Sequence, residues 1–190
     1  MAWKFGGLDP WRLCPSPATH TGGVDHGRFG RPPVSSWYPW IKWLHIVSST
    51  VLLGTGAGIA FFFVRAKHTG DLQVIAAVSR EVVLADGIFT ATAVIVQPLT
   101  GLLLVMNAGF PLSSPWIVAS TVLYLIIGCC WLPVVWLQIS MRNLAVAAAA
   151  NSLPLPPTFW RYYRWWFALG WPAFLGVLVI FYLMVAKPNL

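Results

Sequence analysis

Apolar residues gather in four long runs along this chain, separated by short polar stretches and preceded by a segment with no periodicity at all. The first run, WYPWIKWLHIVSSTVLLGTGAGIAFFFV, carries no charge between Lys42 and Arg65. Each run exceeds the roughly 20 residues that a helix needs to cross the hydrocarbon of a bilayer. The pattern predicts helices over about 37–64, 82–107, 116–140 and 165–186. Between the first two lies RAKHTGDLQVIAAVSRE, which reads as a polar turn, and His68 within it reads as chemically idle. Between the last two lie an Ala-rich segment and a Pro-rich stretch, LPLPP.

Helical spacing then sorts the polar residues inside the runs. In the first helix His45, Ser49, Leu52 and Gly56 share a face, at offsets of four, seven and eleven residues. Gly54 and Gly58 form a GxxxG pair on the opposite side, a spacing that lets helices approach closely in lipid. Internal packing is the expected use of that pair. In the second helix Asp86, Thr90, Ala93, Gln97 and Gly101 line one face, and Pro98 frees the carbonyl of Val94. Intramembrane polar groups turn inward. Asp86 is therefore expected to be neutral, or paired with Arg80, Arg142 or a partner subunit. By depth the groups fall into two separate clusters, His45 with Gln97, Thr100 and Gly101, and Asp86 with Gln138.

Composition agrees with the pattern. Only 9% of the 190 residues are charged, against about 25% in soluble domains, so the chain cannot present a polar surface to water on all sides. The fold class is all-α, an integral membrane bundle of four transmembrane helices (37–190) with an extended, irregular N-terminal tail (1–36). The net charge of +7 would suit nucleic acid in a soluble protein, but no Lys/Arg run exists and the basic residues sit at helix ends and in the tail, so no nucleic-acid partner is expected. Arg65, Lys67, Arg80, Arg142, Arg161 and Arg164 fall on one side of the bundle. The excess of basic loop residues on the cytoplasmic side then puts both termini on the periplasmic side of a bacterial inner membrane. Tryptophans near helix ends, Trp160, Trp165 and Trp166 among them, read as interfacial anchors.

The tail lacks a signal-peptide core, yet Trp3, Phe5 and Trp11 are costly to leave in water. They are expected to lie on a partner or on the membrane surface, with a partner subunit as the favoured one. Cys129 and Cys130 are adjacent on a helix, and no CxxC, CxxCH or zinc spacing occurs, so covalent haem attachment is not expected.

The stretches WIKWLHIVSS, GTGAGIAFFFVRA, VVLADGIFTATAVIVQPLTGLLL, WLPVVWLQISMRNLA, FALGWPAF and MVAKP together resemble a domain-of-unknown-function family of bacterial integral membrane proteins with four helices, over residues 37–190. The W-x-K-x-x-H motif of Trp40, Lys42 and His45 is also similar to that of HemJ-type protoporphyrinogen oxidases and, more loosely, CopD-type membrane proteins. That resemblance implies haem b with His45 as iron ligand, beside Trp40, Lys42 and Gln97. The HemJ pattern also has a lysine opening the third helix and further histidines, and SPWIVASTVLYLI carries neither.

Two readings of His45 follow: a helix–helix hydrogen bond to Gln97, Thr100 or Ser49, or, through the resemblance, a haem ligand with Met106 as an optional second axial group. For the whole chain the first reading is a non-catalytic accessory or structural subunit of a larger membrane complex of respiratory or photosynthetic electron transfer, in contact with the lipid bilayer and other membrane subunits. The alternative is a HemJ-like, haem b-binding membrane redox protein.

Overall fold

The computed structural model describes residues 36–188, all of whose regular structure is helical. Four helices are long and apolar enough to cross a membrane: α1 (Tyr38–Thr69), α2 (Leu72–Ala108), α3 (Pro115–Ala150) and α4 (Pro157–Ala186). The tail residues Trp3, Phe5 and Trp11 lie outside the described residues.

Local chemistry sets the helix ends. Prolines open α1, α3 and α4, at a position where the missing N–H has no intrahelical partner to lose. Gly70 ends α1 and Gly109 ends α2, each with φ of 69°, a left-handed turn that a side chain would strain. Asp71 caps α2, its Oδ1 accepting from the backbone N–H of Gln73 at 2.8 Å and of Val74 at 3.4 Å.

The helices run further than the apolar pattern alone predicts. The connection expected over residues 65–81 is reduced to Gly70 and Asp71 between α1 and α2, α3 continues through the Ala-rich segment to Ala150, and α4 begins at Pro157. At about 1.5 Å per residue, helices of 30–37 residues outreach the roughly 30 Å hydrocarbon layer. Arg65, Lys67, Arg80 and Arg142 thus stand within helices and not in the loops between them.

α2 is not uniform. Asp86–Thr90 forms a π-helical turn, in which the N–H of Ala91 bonds to the carbonyl of Asp86, one residue further back than in an α-helix. Before this turn α2 packs against α1 and α3; after it, chiefly against α1. α3 and α4 pack closely together, whereas α1 and α4 touch little. The bundle is therefore two hairpins, α1–α2 and α3–α4, joined most firmly at the Arg-rich end. The core lies there: Phe63, Ile75, Met141, Ala145, Phe159, Tyr163 and Trp166 are buried in one cluster. Gly176 lets α3 and α4 close up, since a Cβ there would stand 2.8 Å from Ile127 Cδ1.

Two expectations change here. Trp166 is not an interfacial anchor but 5% exposed, because Phe159, Tyr163 and Trp166 recur at helical spacing on the inward face of α4. Trp160 and Trp165 remain exposed. The GxxxG pair is not used internally either. Nothing lies within 4 Å of where a Cβ would stand at Gly54 or Gly58, because α1 meets α2 through its His45–Ser48 side.

Candidate functional site

Where α1 meets the second half of α2, the polar residues of both helices close on one another. Thr100 Oγ1 donates its one hydroxyl hydrogen to the Val96 carbonyl at 2.7 Å, so it accepts from His45 Nδ1 at 2.8 Å. In the neutral imidazole that leaves Nε2 as an acceptor with a free lone pair. Gln97 Nε2 donates to the His45 carbonyl and to Ser48 Oγ, both at 2.9 Å. Gly101 makes room for the ring, since a Cβ there would lie 3.3 Å from His45 Cε1. His45 and Gln97 are brought together as the spacing predicts. Ser48, not Ser49, completes the group; Ser49 Oγ bonds back to the Ile46 carbonyl. The offset of three from His45 was an available signal for Ser48, because i+3 shares a face as well as i+4. Lys42 and Trp40 are exposed and outside this hydrogen-bonded group. Met106 is 67% exposed.

The second cluster is larger than the sequence suggests. Asp86, 5% exposed, accepts from Trp131 Nε1 at 3.4 Å. With the Gln138 amide in the orientation its neighbours require, its nitrogen donates to Asp86 Oδ2 at 3.1 Å and its oxygen accepts from Trp166 Nε1 at 3.2 Å. The partners of Asp86 are thus neutral side chains, not Arg80 or Arg142. Those two arginines line a separate shallow depression with Asn143, whose Oδ1 accepts from Arg142 at 2.9 Å. Thr90 Oγ1 is buried near the carboxyl but closes no hydrogen bond of acceptable geometry.

A cavity of about 410 Å³ separates the hairpins, and its lining includes Ser49 and Gln97 as well as Asp86, Thr90 and Gln138. The two polar clusters expected to be separate therefore border one space, although His45 itself does not face it. Tyr124, on the opposite wall, donates its hydroxyl to the Val94 carbonyl at 2.6 Å. This is the carbonyl that Pro98 leaves without an intrahelical donor. No sequence signal singles out Tyr124 for this bond, since it depends on where α3 lies against α2.

Four apolar helices with inward polar groups and outward apolar side chains define an integral membrane bundle. This chain belongs to the DUF2269 family of predicted integral membrane proteins, whose family model matches residues 39–188. Comparison with curated proteins and with solved structures gives no match.

Among the described residues no three His, Cys, Asp or Glu side chains gather to hold a metal ion. Among the described residues within the apolar runs, His45 alone offers an axial nitrogen for haem. His68, the other described histidine, lies 23 residues along α1, roughly 35 Å away by helical rise.

Proposed function

We propose that this chain is a non-catalytic subunit of a larger assembly in a bacterial inner membrane, with both termini on the periplasmic side. One observation carries the subunit reading: the outer face of α1 is built for contact that the isolated bundle does not make. Gly54 and Gly58 each cost a helix roughly 0.5–1 kcal/mol relative to alanine. Neither has a neighbour within 4 Å of a would-be Cβ. Thr50 and Phe61 continue the same outward stripe and are exposed. Small residues at this spacing admit a second helix close to the backbone in lipid. The orientation is supported by the cluster of arginines at the ends of α1–α4 nearest the core.

The test is Gly54→Leu/Gly58→Leu. Open space at both positions means the bundle itself should fold normally, with unchanged helical circular dichroism. In native gels of solubilised membranes the variant is expected to leave its high-mass band at least tenfold more completely than wild type. A variant that stays in a band of unchanged size would contradict the subunit reading.

A second reading is favoured by the Thr100 bond to Nδ1, which orients the His45 ring and leaves Nε2 free to ligate, the arrangement usual for metal-bound histidine. Haem b held there would supply one-electron redox chemistry at the periplasmic end of α1. Purified wild type should then show a Soret band that His45→Ala removes at equal expression. A colourless, folded wild type would rule this out.

A further inference from the structure

The cavity between the hairpins combines three features that no packing role explains. Its walls are almost wholly apolar and rich in aromatic rings, with Trp131, Phe167, Trp171 and Phe174 among them. Its polar end holds Asp86, a buried carboxyl whose partners are an indole N–H at 3.4 Å and an amide N–H at 3.1 Å. Among the described residues no lysine, arginine or histidine lines it. A carboxyl inside a membrane protein ordinarily has a cationic partner or serves a ligand or ion. Here Arg80 and Arg142, on the same two helices, turn to a different depression.

We propose that this cavity binds a lipophilic monocation, an apolar body carrying one positive charge, with Asp86 as its counter-ion. Aromatic faces attract cations through the negative charge of their π-systems, most strongly where water is excluded. An anionic amphiphile would meet the same rings and the Asp86 carboxyl with no basic group to offset either. The π-helical turn at Asp86–Thr90 contributes by setting both of its end residues on the cavity wall, a placement typical of π-turns at binding sites. Thr90 Oγ1, buried and without a hydrogen bond, lies at the same end. An apolar space of this size with a few convergent polar groups is the usual form of a small-molecule site.

The probe is tetraphenylphosphonium, with tetraphenylborate as an anion of the same shape, each measured by equilibrium dialysis against the full chain in neutral detergent. The phosphonium is expected to show one saturable site above micelle partitioning, and the borate none. Asp86→Asn, which keeps the shape of the side chain, should weaken phosphonium binding at least tenfold. Gly170→Leu provides an independent arm. Gly170 lines the cavity and has nothing within 4 Å of a would-be Cβ, so the added side chain fills space without a clash. It should abolish saturable binding while leaving helicity intact, whether or not Asp86→Asn folds. Equal binding of the two ions, unchanged affinity in folded Asp86→Asn, retained binding in Gly170→Leu, or no saturable site in wild type would each overturn the proposal.

Discussion

Phe63→Ala is expected to destabilise the bundle by about 3–5 kcal/mol, the range for truncating a buried aromatic core residue. Phe63 is 2% exposed and meets three rings of α4 edge-on: Trp166 with centroids 5.1 Å apart, Tyr163 at 5.7 Å and Phe159 at 6.5 Å. Edge-to-face pairs add about 0.5–1.5 kcal/mol beyond area burial. The position matters as much as the contacts. α1 and α4 touch little overall, so the Phe63 cluster is a main junction between the first hairpin and the last helix. Phe62, its neighbour in sequence, is 62% exposed, and Phe62→Ala should fall within about 0.5 kcal/mol of wild type. Titration with a denaturing detergent in mixed micelles, followed by circular dichroism, reads both. Similar midpoints for the two variants would mean the aromatic cluster does not join the hairpins.

Gln138→Leu should cost about 1–3 kcal/mol, the penalty for stranding buried polar groups. Gln138 is 4% exposed and bridges Trp166 on α4 to Asp86 on α2. Its loss leaves an indole N–H and a carboxylate oxygen without partners in a membrane interior. The double variant Asp86→Leu/Gln138→Leu should regain part of that loss, because removing both partners strands fewer groups than removing one. The same detergent titration measures it. Strictly additive destabilisation would show that the two side chains are not coupled.

Much of the bundle was legible in the sequence, for a definite physical reason. Hydrocarbon tolerates few charges, so the four apolar runs stand out; the 3.6-residue period turned His45, Asp86 and Gln97 inward, and depth along the runs set His45 level with Gln97 and Thr100 and Asp86 level with Gln138. Helix ends were less legible. Beyond the bilayer, water satisfies the backbone, and a helix continues through Arg65, Arg80 or the Ala-rich segment until a glycine or proline stops it. The role of tryptophan was ambiguous from composition. A Trp near a helix end suits the headgroup layer, but Trp131 and Trp166 are placed by their register toward Asp86 and Gln138. The π-helical turn had no signature in DGIFT that periodicity could detect. The direction of the GxxxG face was not legible either, because the spacing states that close approach is allowed and not which helix makes it.

The outer face of α1 is expected to receive a helix from another polypeptide. The direct measurement is cysteine cross-linking in native membranes, in a chain whose three cysteines have been replaced. Cysteine is introduced singly in place of Gly54, Gly58 and, as an inward-facing control, Ile59, which is 7% exposed. A covalent adduct with a second polypeptide is expected from positions 54 and 58 and none from 59. No adduct at either glycine position, in membranes where the same reagent cross-links a known complex, would contradict it.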